Sequence, residues 1–193
     1  MAVAAALVSP EEYLRREEKA SEKSEYRKGM ILAMAGASTN HVVISSNLHT
    51  VLGPLARTKG CFFLNSDAKV WVEAAGAFYY PDGSIACPPH FVNDPAGAFD
   101  NPKVIFEIIS PSSESADRGT KFKDYATLLS LEEYVLIESG TPDVQIFRRE
   151  APDQWSLTFY SGLEKTARLA TLDIEISLRE LFALTTFGSH RES

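Results

Sequence analysis

Two carboxylates stand where a folded chain tolerates them poorly. Glu107 interrupts the apolar run Val104-Ile105-Phe106-Glu107-Ile108-Ile109, and Asp82 follows Tyr80-Pro81 ahead of Gly83-Ser84-Ile85-Ala86-Cys87. Burying an unpaired carboxylate is costly, so each is expected to bind something positive. Downstream, Asp117-Arg118-Gly119-Thr120-Lys121 supplies a cation. Two carboxylates with a lysine suit a hard divalent cation, which prefers oxygen ligands, acting on a nearby phosphate. With Glu25 as a fourth member, Glu25, Asp82, Glu107 and Lys121 read as one metal-dependent phosphodiesterase site.

Each residue also has a plainer reading. Pro81-Asp82-Gly83 is a turn signature by itself, and taken alone Asp82 reads as a turn residue. A strand with one wet face, or a buried ion pair, would account for Glu107, but the flanking isoleucines favour a functional carboxylate. Asp117, Lys121 and Tyr125 recur at intervals of four and share one helical face. An exposed Asp–Lys pair at that spacing is common and contributes little. A solvated glutamate is the default for Glu25 in its charged stretch, and His41 reads as an exposed or capping histidine. His49, His90 and His190 show no paired spacing. Ser110 and Ser112 lack the Gly-x-Ser-x-Gly elbow of a serine hydrolase. The chain has neither a phosphate-cradling Gly-x-x-x-x-Gly-Lys loop nor a dinucleotide fingerprint.

The elements that must position these groups follow from periodicity and punctuation. Ser9-Pro10-Glu11-Glu12 has a capping serine and a first-turn proline, predicting a helix to about Ala20. A hairpin is expected over 25–35, turning at Lys28-Gly29. Val42, Val43, Leu48, Val51, Leu52 and Leu55 predict a second helix from about Thr39 to Arg57. Strands are expected at 61–64, 69–73 and 79–87, with Ala75-Gly76 turning between the last two, then a surface loop over 88–102. The run 104–109 reads as a strand buried on both faces. A helix over 114–129, a hairpin of 134–137 with 144–148, a strand at 155–160 and a short helix at 178–184 complete one α/β unit. It spans 1–193, with its core at about 9–185.

Composition sets outer limits. The chain has 193 residues, 45% of them hydrophobic and 23% charged, as expected of one soluble domain. Its net charge of -7 argues against holding nucleic acid by bulk positive charge, yet a metal site needs acids, so a nuclease stays open. Arg15, Arg16, Lys19, Lys23, Arg27 and Lys28 are interleaved with glutamates and read as a solvated face. Cys61 and Cys87 offer no zinc spacing or disulfide framework, so buried reduced thiols are expected. The apolar residues 1–8 are short and lack a basic flank, making neither a secretory signal nor a membrane span. A cytoplasmic protein with no membrane partner is the expectation.

The order of motifs resembles a known family. It runs Glu25, Asn40-His41, Tyr80-Pro81-Asp82, Lys103-Val-Ile-Phe-Glu107-Ile-Ile-Ser110-Pro111-Ser112, Asp117-Arg-Gly-Thr-Lys121 and Leu131-Glu-Glu-Tyr134-Val-Leu-Ile137. Over roughly 9–185 this is similar to the Uma-type restriction endonucleases of the PD-(D/E)XK nuclease superfamily. The resemblance implies a restriction-endonuclease-like α/β core, a mixed central sheet flanked by helices. It implies that Asp82 and Glu107 bind Mg²⁺ or Mn²⁺ and that Glu25 matches the family's early acidic position. The superfamily lysine usually lies two residues after the second acid, a position held here by Ile109, so Lys121 on the following helix is its match. Two positions depart from the pattern: Gly83 stands where an apolar residue is usual, and Arg27-Lys28 where a more acidic or neutral turn is.

The resulting expectation is DNA phosphodiester hydrolysis. Asp82 and Glu107 would hold the ion, with the Ile108 carbonyl as a further ligand, and Lys121 would orient the water or stabilise the transition state. Glu25 would complete the shell or position a second metal. One alternative is a catalytically silent nuclease fold used for binding or regulation, which the acidic charge favours. Another is hydrolysis of RNA or a smaller phosphate ester. A homodimer is expected from the apolar strands near 144–147 and 155–160, and from the need of duplex cleavage for two sites.

Overall fold

Ser9 opens the first helix as its sequence suggests. Its hydroxyl accepts from the Glu12 N–H, Pro10 takes the first turn, and α1 runs Pro10–Glu17. The computed structural model describes residues 7–34, 36–92, 97–110 and 114–187; Ser112 and His190, named above, lie outside them. The hairpin of β1 (Ser24–Arg27) and β2 (Met30–Ala33) turns at Lys28 and Gly29. Both residues have positive φ (49° and 88°), the twist that a two-residue hairpin favours. Ser38 caps α2 (Thr39–Thr58) by accepting from the His41 N–H.

Beyond α2 come β3 (Phe62–Asn65), β4 (Lys69–Val72), a single tight turn at Glu73–Ala75 and β5 (Ala77–Tyr79). The strand expected over 79–87 is broken. β5 ends at Tyr79, β6 (Gly83–Ala86) starts a new strand, and the two lie in different sheets. Pro81 lacks a ladder donor, so the chain changes sheets there and delivers Asp82 at the crossing. The expected loop 88–102 contains a short strand, β7 (Ala98–Phe99), parallel to β4.

The strand β8 (Val104–Ile109) is buried throughout. The helix expected over 114–129 instead contains a π-helical turn at Ala116–Lys121 and ends as α3 (Phe122–Tyr125). Past its end the Arg149 guanidinium donates to the carbonyls of Ala126, Leu128 and Leu131, which have no helical partner. β9 (Glu133–Glu138), β10 (Asp143–Ala151) and β11 (Gln154–Ser161) follow as expected. The hairpin of β12 (Thr166–Leu169) and β13 (Ile174–Ser177) was not expected; α4 (Leu178–Leu181) was. Buried Glu133 holds that hairpin by accepting from the N–H groups of Ala170 and Thr171.

Among the described residues the main sheet has the order β11-β10-β9-β8-β6-β3, with β8 and β9 parallel and the other pairs antiparallel. A second sheet has the order β2-β1-β5-β4-β7. Alternation along β8 puts Phe106 and Ile108 against Leu48 and Leu52 of α2 and the β12–β13 hairpin. Ile105 and Ile109 pack on the other face with Tyr79 and Val70 of the second sheet and Tyr125 of α3. Glu107 lies on this second face, between the two sheets.

The reduced-thiol expectation is overturned: Cys61 and Cys87 form a disulfide. Antiparallel pairing sets Phe62 against Ala86, so the next position out brings the two cysteines opposite one another. Spacing alone could not show this, because β4 and β5 intervene in sequence and belong to another sheet. Closing a loop of this size contributes about 2–4 kcal/mol. Cys61→Ser should therefore lower Tm by about 5–15 °C. An unchanged Tm, with two titratable thiols in the unreduced parent, would contradict the bond.

Candidate active site

Four separate elements converge on one cavity of about 470 Å³ between the sheets. Glu25 comes from β1, Asp82 from the crossing between β5 and β6, Glu107 from β8 and Lys121 from the π-helical turn. His41 and Asp117 line the same cavity, as does Ile108. All residues proposed from the sequence are thus brought together.

The two central acids come from neighbouring strands. Gly83 at the start of β6 lies opposite Phe106, Asp82 precedes it, and the charge of Asp82 acts on Glu107. Asp82 is fixed at both oxygens. Oδ2 accepts from the Ile108 N–H at 2.7 Å, and Oδ1 meets His41 Nε2 at 3.0 Å. Ile108 therefore contacts Asp82 through its backbone N–H. The Asp82 hydrogen bond raises the His41 pKa above its ordinary value; burial opposes this, and the charges of Asp82 and Asp117 add to it.

Lys121 sits in a nest of acids. Its Nζ is 2.9 Å from Glu25 Oε1 and 3.4 Å from both Glu107 Oε1 and Asp117 Oδ1. Burial works against its charge, but Glu107, Glu25 and Asp117 outweigh it and hold the lysine protonated. Burial pushes the Glu107 carboxyl well above the usual range; Lys121 pulls it back, while Asp117, Asp82 and Glu25 push it further. Tyr125 Oη donates to Glu107 Oε1 at 3.2 Å, the Tyr80 N–H donates to Glu25 Oε1 at 3.3 Å, and Tyr134 Oη donates to the Asp117 carbonyl at 2.9 Å.

The competing lysines point elsewhere. Lys103 Nζ pairs with Glu132 at 2.5 Å, and Lys123 is exposed. His41 is the site residue that sequence reasoning set aside as a capping or exposed histidine. Its place in the Asn40-His41 motif was the available signal. Asp117 and Tyr125 were visible as a series with Lys121 at intervals of four, but not as partners of Glu107.

Comparison with known proteins agrees with this architecture. The Uma2 family model, described as "Putative restriction endonuclease", matches residues 10–181. Two uncharacterized proteins of Synechocystis sp. are similar to the chain. One is 35% identical over 157 residues, covering 81% of this chain and 89% of that protein; the other is 34% identical over 164 residues, covering 82% and 83%. A crystal structure from Anabaena variabilis, described as a "putative nuclease belonging to DUF820", aligns with TM-score 0.67 at 17% identity. It covers 91% of this chain and 97% of its own, and at that identity the likeness is one of fold: a mixed sheet flanked by helices. Among the described residues no helix is long and apolar enough to cross a membrane. With most of its length matched, the chain belongs to the Uma2 family, whose description is "Putative restriction endonuclease".

Proposed function

We propose that the protein is a Mg²⁺- or Mn²⁺-dependent endonuclease that hydrolyses DNA phosphodiester bonds at the cavity walled by Glu25, Asp82, Glu107 and Lys121. The observation that carries this reading is the burial of Lys121 among three carboxylates at the wall of an open cavity. An ion pair serving stability alone needs neither a cavity nor several acids around one cation.

The donors fit a hard divalent ion. Among the described residues no group of three or more His, Cys, Asp or Glu is arranged as a metal cage. Mg²⁺ does not need one, since it is held by one or two carboxylates together with water and substrate phosphate. Asp82 and Glu107 would supply those carboxylates, with the Ile108 carbonyl and Glu25 beside them. A bound ion supplies charge neutralisation at the phosphate and an acidified water.

The chain's own residues prepare the site. Ile108 N–H and His41 Nε2 fix the two oxygens of Asp82, and Tyr125 Oη fixes Glu107 Oε1. Lys121 keeps its Nζ proton donors and positive charge beside the position where charge accumulates on the phosphate, in a partly desolvated place where such charge acts strongly. Glu25, held by the Tyr80 N–H, anchors that lysine.

Supercoiled plasmid incubated with the protein and Mg²⁺ is expected to be nicked or linearised. Asp82→Asn keeps the side-chain shape and removes the charge, and should cut at least about 10²-fold more slowly. Intact plasmid in both Mg²⁺ and Mn²⁺ would reject the proposal in favour of a silent nuclease fold used for binding. The proposed assembly is a homodimer, supported by Leu157 and Phe159, both exposed on the edge strand β11. A monomer by light scattering at high concentration would remove the dimer.

A further inference from the structure

A second cavity, of about 360 Å³, adjoins the first, and Asp82 lines both. Its remaining wall includes Ser45, Ser46 and His49 of α2 with Asn65 and Ser66 from the end of β3. Beside Val42 and Phe63, this wall presents the hydroxyls of Ser45, Ser46, Thr50 and Ser66 and the amide of Asn65, side chains that commonly hydrogen-bond to phosphate oxygens, together with the His49 ring.

Helical geometry joins the two cavities into one path. His41, Ser45 and His49 are four residues apart in turn and so lie along one face of α2. His41 holds Asp82 in the first cavity, while Ser45 and His49 line the second. At a rise of about 1.5 Å per residue, His49 lies about 12 Å along the helix from His41. Along the axis of a DNA duplex each strand advances about 3.4 Å per phosphate, so that distance matches roughly three nucleotides of a duplex strand. This stripe borders the face of α2 that carries buried Ile44, Leu48 and Leu52: His41 and Ser45 are half-buried at its edge, and His49 is exposed.

His49 is also held in place. Its ring lies edge-on to Phe63 at 5.3 Å between centroids, and Phe63 in turn tilts against buried Phe106 at 6.0 Å. An exposed histidine braced by an aromatic pair that reaches the core loses little freedom when it binds a ligand.

We propose that this face of α2 is a backbone track: it binds the phosphates of the nucleic-acid strand that flanks the scissile bond, over roughly three nucleotides on one side. The proposal rests on the reading of the first cavity as a phosphodiester-cleaving site. Substrate affinity and the shortest good substrate would then be set by Ser45, Ser46 and His49, while the chemical step would not.

The test separates binding from cleavage. Binding of a fluorescein-labelled single-stranded DNA, and of a labelled dinucleotide, is measured by anisotropy in Ca²⁺. Mg²⁺-dependent cleavage of the longer strand is measured in parallel. The double variant Ser45→Ala/His49→Ala should weaken binding of the longer strand by about tenfold or more, as expected for lost hydrogen bonds to a charged group. It should leave dinucleotide binding unchanged and raise KM with kcat unaltered. Ser46→Asp, which places a negative charge on the same exposed face, should weaken the longer strand in the same way at an unchanged Tm.

Equal weakening of both ligands, or of neither, would overturn the track while leaving the cleavage reading intact. Failure of the parent to cleave, together with selective weakening of the longer strand, would uphold the track and overturn the cleavage reading.

Discussion

Lys121→Met should abolish cleavage and destabilise the protein at the same time. The ammonium is within 3.4 Å of Glu25, Glu107 and Asp117, with its side chain only 13% exposed. Removing one partner of a buried charged group leaves the others uncompensated, at a cost of about 3–5 kcal/mol. In a chain of this length that corresponds to a fall in Tm of about 6–20 °C. Loss of a preorganised charge at the reacting phosphate costs about 10²–10³ in rate. With the lysine gone, a divalent cation should enter the acid nest, so Mg²⁺ should raise the Tm of the variant more than that of the parent. Calorimetry with and without Mg²⁺ checks this. A variant as stable as the parent, or one that cuts DNA at the parental rate, would remove Lys121 from the site.

Glu107→Gln should give the same loss of activity with the opposite effect on stability. Burial pushes the Glu107 carboxyl well above the ordinary range, with Asp117, Asp82 and Glu25 adding to the push against the pull of Lys121. Ionising this carboxyl inside the fold thus costs free energy. Glutamine keeps the shape and an oxygen for the Tyr125 hydroxyl, and Lys121 keeps Glu25 and Asp117. The variant is expected to gain about 0.5–2 kcal/mol, the pattern of a residue retained for chemistry rather than for folding. Cleavage should fall by about 10² or more. A marked drop in Tm would instead make Glu107 a structural ion-pair partner.

Much of this site is legible in the sequence. Glu107 stood out because a carboxylate inside Val-Ile-Phe-Glu-Ile-Ile has no face on which to hide, and Lys121 because the series Asp117, Lys121, Tyr125 can aim at one point. Local signals also placed the Ser9 start of α1 and the Lys28-Gly29 turn, where one residue's chemistry decides the backbone, and apolar spacing placed α2 from about Thr39.

What escaped depended on contacts distant in sequence. The division of 79–87 between two sheets is written only in Pro81, a single residue that also reads as an ordinary turn. The Cys61–Cys87 bond needs the β3–β6 register, which no spacing rule supplies. The role of His41 needs Asp82, which only the crossing between sheets brings within 3.0 Å. The carbonyls just past α3 are met by Arg149 from another strand, a contact that no local signal marks.

The central claim is that Asp82 and Glu107 share one divalent ion in the cavity that holds Lys121. Crystals of the parent and of Glu107→Gln soaked in Mn²⁺ test it most directly through anomalous scattering. The account predicts one anomalous peak between Asp82 and Glu107, with oxygen ligands at about the 2.0–2.2 Å expected of a small hard cation. It also predicts that the peak is lost or greatly weakened in the variant. An empty cavity in the parent at saturating Mn²⁺, or a peak that persists unchanged without the Glu107 charge, would contradict it.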